Sequence, residues 1–92
     1  MRLLDLGFGG ACIEHIHPLP DWHLYYLDVP PALGGARLQG EVVWSQGAGR
    51  TEVAEGKSVV CYRSGLRFTL LSAQQQAGLA AALEILKAAQ GR

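Results

Sequence analysis

The one helical signature in this 92-residue chain lies at its end, and the residues before it have the texture of short β-strands. Ser72, followed three residues on by Gln75, is a capping box. In that motif the serine oxygen accepts from the amide three residues ahead, and the glutamine side chain reaches back to the serine N–H. Leu79, Leu83 and Leu86 then recur at helical spacing among alanines, which predicts a helix over residues 73–89. Its apolar stripe needs a cover, either one end of a barrel or a second copy of the helix. No helical pattern separates one β-prone segment from the next, which argues for antiparallel strands and against a β-α-β sheet.

The β-prone segments are marked off by glycine and proline. Ala11 to Ile16 follows Gly7, Gly9 and Gly10 and is broken by Pro18 and Pro20. Trp22 to Val29 is aromatic and stops at Pro30-Pro31, and Gly34-Gly35 suits a turn. In Arg37 to Ser45, alternation places Leu38, Val42 and Trp44 on one face, with Gly40 where the strand bends or bulges. Residues 46–57 are polar and glycine-rich and read as a loop or a loosely ordered hairpin. Val59 to Thr69 is the last strand, with Leu66 and Phe68 facing one way and an interruption near Ser64-Gly65. All strands thus fall within residues 2–69, and residues 1–92 are expected to form a single domain.

With 49% hydrophobic and 17% charged residues, the chain can build one modest core and is not of disordered composition. Its formal net charge of zero removes any long-range pull on DNA, RNA or an anionic membrane, so a bound nucleotide would have to be held by local geometry. No apolar run approaches the roughly 20 residues of a membrane span. Asp5 and the glycines after it interrupt any signal-peptide core, so a cytoplasmic location is expected. Cys12 and Cys61 then read as reduced packing thiols, although the sequence leaves a disulfide between them open.

Three stretches, taken in order, resemble the PilZ family of cyclic di-GMP signalling domains. Asp5-Leu6-Gly7-Phe8-Gly9-Gly10-Ala11 resembles the family's Asp/Asn-x-Ser-x-x-Gly motif and the strand after it. Gly40-Glu41-Val42-Val43-Trp44-Ser45 is similar to its central Gly-x-Val-x-Trp strand. Tyr62-Arg63-Ser64-Gly65-Leu66-Arg67-Phe68, followed by Leu71-Ser72 and the helix, is similar to its Tyr-x-x-Gly-Val-x-Phe strand and Leu-Ser helix start. The resemblance runs from Asp5 to about Leu86. It implies a mainly β fold: a small antiparallel PilZ-type β-barrel of about five strands with one C-terminal α-helix. The family's Arg-x-x-x-Arg segment and first strand lie upstream of the aspartate, where this chain has only four residues, so both are expected to be missing. Gly7 stands where the motif has its serine.

The ligand the resemblance implies is cyclic di-GMP, a dianion with two guanines. Arginine suits both parts: its fork bonds the guanine O6/N7 edge and its plane stacks on the base. In the family the upstream arginines do this, the aspartate and serine hold a guanine from the barrel side, and the glycine permits close approach. Of that set this chain keeps Asp5 and Gly10, with Gly7 in the serine's place, and these three are the candidate remnant of the site. Arg37, Arg63 and Arg67 would rebuild it only if the fold gathers them.

Other candidates are weaker. His15-x-His17, with His23 nearby, has the spacing of a metal chelate, but no cysteine or carboxylate completes a tetrahedral set, and exposed loop histidines are the ordinary reading. No cofactor or metal is expected. Ser45, Ser58, Ser64 and Ser72 lack a nucleophile-elbow context, and Cys61 has no adjacent histidine, so no enzyme is expected. The Gly7-Phe8-Gly9-Gly10 run lacks the Lys-Ser/Thr pair of a phosphate loop. Arg50, Arg63 and Arg67 read as a solvated face balanced by Glu52 and Glu55, while Trp22, Tyr25, Tyr26, Trp44 and Tyr62 divide between core and a sticky surface. A barrel short of one strand has two exposed edges, so the expected partners are another protein or a second copy, through an edge or the helix. The chain is thus expected to be a signalling adaptor with impaired nucleotide binding; the alternative is a true receptor whose arginines come from an N-terminal extension or a partner chain.

Overall fold

The structure is a computed structural model and describes residues 1–90. Five antiparallel strands precede one helix: β1 (Arg2–Leu6), β2 (Gly10–His15), β3 (Leu24–Asp28), β4 (Arg37–Ala54), β5 (Lys57–Phe68) and α1 (Ala73–Gln90). The strands form one sheet in the order β1-β2-β5-β4-β3, curled into a half-barrel whose edges are β1 and β3. This is the small antiparallel, helix-ended architecture the sequence predicts. Gly7 N donates to Gly10 O at 2.9 Å and closes a two-residue turn at Phe8-Gly9. Pro31–Leu33 makes a 3-10 turn before Gly34, whose φ of 106° is a left-handed conformation that favours glycine.

The helix starts as expected. Gln75 N donates to Ser72 Oγ at 3.1 Å and Ser72 N to Gln75 Oε1 at 2.8 Å. The Gln75 amide also donates to the Arg37 carbonyl at 2.9 Å, which ties the helix start to β4. Leu79 and Ala82 are buried in one cluster with Leu6, Ile13, Leu27, Leu38, Val42 and Leu66, while Leu83 and Leu86 pack on its margin. Burying each of the large side chains contributes about 1.5–3 kcal/mol.

Three points are settled by the ladders. First, residues 46–57 take the second of their two readings, a hairpin and not a loop: β4 and β5 continue as a ladder out to Ala54↔Lys57, and a turn at Glu55-Gly56 joins them. The polar, glycine-rich composition fits two strands that project from the core with both faces wet. Second, β5 has no interruption at Ser64-Gly65, because its ladder with β2 is regular from Gly10↔Arg67 to His15↔Tyr62. The irregularity lies opposite, in β4, where the register steps from Val42↔Leu66 to Trp44↔Gly65. Val43 is the extra residue of that bulge. A bulge reverses the alternation beyond it, so Trp44 does not share the Leu38 and Val42 face. Val42 is buried, whereas Trp44 lies over Gly65 on the outer face. Third, the disulfide is ruled out. Cys12 pairs with Gly65, four residues or about 13 Å along β5 from Cys61, well beyond bridging distance. Both cysteines are free.

Candidate functional site

The β1–β2 turn holds the three candidate residues. Gly10 is fixed by packing: a Cβ there would overlap the Leu66 carbonyl oxygen of β5. Gly7 is under no such pressure, since a Cβ would meet only Gly10 O, at 3.9 Å. Asp5 is exposed, and its Oδ1 accepts from the Leu6 N–H at 3.0 Å. Phe8, at the tip of the turn, is 75% exposed. Beside the turn a groove of about 1050 Å³ is lined by Phe8, Gly9, Glu41, Arg67 and Gln76 among others.

The arginines are distributed, not gathered. Arg67 comes nearest the motif, as the cross-strand partner of Gly10. Its Nη2 lies 3.3 Å from Glu41 Oε2, and its guanidinium sits 5.7 Å from the Trp22 ring centre. Arg63 is opposite Glu14, with Nε 3.6 Å from the carboxylate, and Arg2 reaches the same carboxylate at 3.3 Å. Arg37 is on the far side of the sheet, 3.2 Å from Asp28 and over the Tyr26 ring. Each of these four arginines therefore faces a carboxylate. Arg63 and Arg67 do have Arg-x-x-x-Arg spacing, a signal present in the sequence and not used in reading it. On an extended strand that spacing separates the two by about 13 Å, and each is engaged by a different acid. Arg50 is far out on the β4–β5 arm, bonded to Ser58.

The histidines are not the exposed pair expected. His15 is only 8% exposed and stacks on Tyr62, with ring centres 5.9 Å apart. Its Nδ1 lies 2.6 Å from the His17 carbonyl oxygen, and its Nε2 2.7 Å from Ser64 Oγ. Ser64 is wholly buried and its Oγ is also 2.8 Å from Ser45 Oγ. A carbonyl only accepts, so Nδ1 carries the proton. In the neutral ring Nε2 then accepts from Ser64, which in turn accepts from Ser45. Both ring nitrogens are thus used within the protein, which leaves neither as a metal ligand. The signal missed was alternation: Ile13 and His15 share the inner face of β2, opposite Ser64 and Tyr62. The aromatics divide as anticipated, with Trp22, Tyr26 and Trp44 exposed and Tyr25 packed against the core. Trp22 holds a left-handed φ of 64°, which costs about 1 kcal/mol or more for a bulky residue.

The curled antiparallel sheet with its terminal helix is of PilZ type. The solved PilZ domain of YcgR from Escherichia coli, with c-di-GMP, is similar to this chain at a TM-score of 0.63 and 16% identity, covering 97% of this chain and 72% of that one. At that identity the likeness is one of fold. No family model matches the sequence, and none of the curated proteins does. No helix among the described residues is long and apolar enough to cross a membrane.

Proposed function

We propose that the chain is a non-catalytic module of cyclic di-GMP-linked regulation that works through protein contacts, with its own hold on the nucleotide impaired. The fold supports the first part, through its likeness to a PilZ domain solved with c-di-GMP. The observation that carries the second part is that Arg2, Arg37, Arg63 and Arg67 each face a carboxylate, so a phosphate would compete with an acid for any of them. Asp5, Gly7 and Gly10 are the remnant of the site: a carboxylate and a close approach, without the hydroxyl.

A charge-assisted contact contributes about 1.5–3 kcal/mol. A turn without the serine hydroxyl, with its nearest arginine held by an acid, forgoes contacts of that size, and each 1.4 kcal/mol weakens binding about tenfold. The wholly buried Ser64 beside His15 resembles a nucleophile and base in distance only, because no substrate reaches it. A second reading is favoured by Arg67, which stands across from Gly10 and lines the groove at the turn. Under that reading the chain is a receptor completed by arginines from an N-terminal extension or a partner chain.

Isothermal titration of the folded chain with cyclic di-GMP, using GMP as control, tests the hold of this chain by itself, and repeating it with an Arg-x-x-x-Arg segment added upstream of Met1 separates the two readings. No measurable heat at micromolar nucleotide is expected. Micromolar binding that disappears in Asp5→Ala would overturn the impaired-binding reading and establish the receptor.

A further inference from the structure

We propose that Glu41 is an autoinhibitory residue: it holds Arg67 and cancels its charge, and neutralising it opens the groove beside the β1–β2 turn to a phosphate-bearing ligand. The inference rests on the impaired hold on nucleotide argued above and assigns that impairment to one carboxylate. On the outer face of the sheet, one row of partners runs from Gly10 on β2 through Arg67 on β5 and Glu41 on β4 to Leu24 on β3. Cross-strand partners share a face, so the Arg67 side chain has a carboxylate on one flank. On its other flank stands Gly10, which the Leu66 carbonyl oxygen keeps a glycine. The way from Arg67 toward the turn therefore passes over bare backbone, one strand spacing of about 4.8 Å away.

Arg67 rests on the Glu41 side. A single N–H, on Nη2, reaches Glu41 Oε2 at 3.3 Å, and the Arg67 side chain is 61% exposed. An exposed pair of this kind is held weakly, so another anion can take its place. Its effect on a ligand is larger than its strength, because among the described residues Glu41 and Arg67 are the only charged groups that line the groove of about 1050 Å³. With both charged the groove is neutral, and a phosphate meets one attraction and one repulsion. With Glu41 neutral the repulsion is gone and the attraction stays. Removing a unit charge a few Å from a bound phosphate changes affinity roughly tenfold or more, even in solvent. The outer face supplies its own control. Glu14 faces Arg2 and Arg63 and is not among the residues that line the groove. Glu14→Gln changes the net charge by the same amount as Glu41→Gln. At physiological salt the screening length is about 8 Å, shorter than the roughly 13 Å between Arg63 and Arg67 along β5, so that change is felt weakly at the groove.

The test is titration of the whole chain and its variants with cyclic di-GMP up to millimolar concentration, followed by proton–nitrogen correlation spectra, which also report that each variant is folded. Glu41→Gln is expected to bind roughly tenfold or more tighter than the unaltered chain. Glu41→Ala, which removes the acceptor as well, is expected to show the same gain. Glu14→Gln should bind no tighter, and Glu41→Gln combined with Arg67→Gln should lose the gain. Folded Glu41 variants that bind no better overturn the proposal. An equal gain in Glu14→Gln makes net charge the cause and overturns it too, as does a gain that persists without Arg67. Each of these failures leaves the impaired hold in place. Micromolar binding by the unaltered chain overturns that reading as well, since no carboxylate would then be keeping nucleotide out.

Discussion

Gly10 and Gly7 sit three residues apart in one turn, and the fold treats them differently. Gly10 lies where β2 crosses close to β5, and any side chain would strike the Leu66 carbonyl. Gly7 faces open space, and nothing in its surroundings excludes the serine found there in the PilZ motif. The residue retained is the one the sheet needs for its own packing. The residue changed is one that the resemblance assigns to ligand alone. Packing alone is therefore enough to account for a motif match at Gly10.

The sharpest break of that comparison is Gly10→Ala. The atom in the way is backbone, which cannot swing aside as a side chain would. A loss of about 3 kcal/mol is expected, equivalent to a fall in Tm of about 12–24 °C for a chain of this size. Thermal unfolding followed by circular dichroism measures it. A change in Tm of only a few degrees would show that β2 and β5 can separate at this point, and Gly10 would then have to be explained by ligand after all.

The next effect comes from the polar chain on the inner face. Ser64 donates to His15 and accepts from Ser45 with no access to water. Ser64→Ala leaves a buried imidazole nitrogen without its donor, at a cost of about 1–3 kcal/mol. By contrast, Arg2 and Arg63 on the outer face are half-exposed or more where they meet Glu14. Exposed pairs of that kind contribute about 0–1 kcal/mol, so Arg63→Ala should barely move the denaturant midpoint. Urea unfolding of the two variants ranks the inner and outer faces directly. Equal losses would mean that the buried chain is not the stabilising element its geometry implies.

Much of this architecture was legible. The capping box, the leucines of α1 and the proline breaks are local signals, and local signals survive in a single sequence. The failures share a cause: each depended on a strand across the sheet. Plain alternation puts Trp44 on the wrong face because the Val43 bulge is visible only against Leu66 and Gly65. His15 looks exposed from its own segment because Ser64, its partner, is 49 residues away. The arm from Gln46 to Lys57 carries no apolar alternation, since neither face of it is buried deeply, so its sequence leaves loop and hairpin open. The site was legible in its residues and not in its electrostatics. That Arg63 and Arg67 answer to Glu14 and Glu41 is a matter of register, which spacing along one strand does not reveal.

The smallest expected effect tests the other half of the comparison. Gly7→Ser places a hydroxyl back in the turn. A Cβ there has only an ordinary contact at 3.9 Å, so stability should stay within about 0.5 kcal/mol of the unaltered chain. Binding is the more telling readout. A single neutral hydrogen bond adds about 0.5–1.5 kcal/mol, roughly tenfold at most, and leaves Arg67, the arginine nearest the turn, paired with Glu41. The variant should therefore still give no heat at micromolar nucleotide. If Gly7→Ser alone produced micromolar binding, Asp5, Gly10 and Arg67 would already form most of a working site. The pairing of Arg67 with Glu41 would then be a resting state that nucleotide displaces, and not the reason for weak binding.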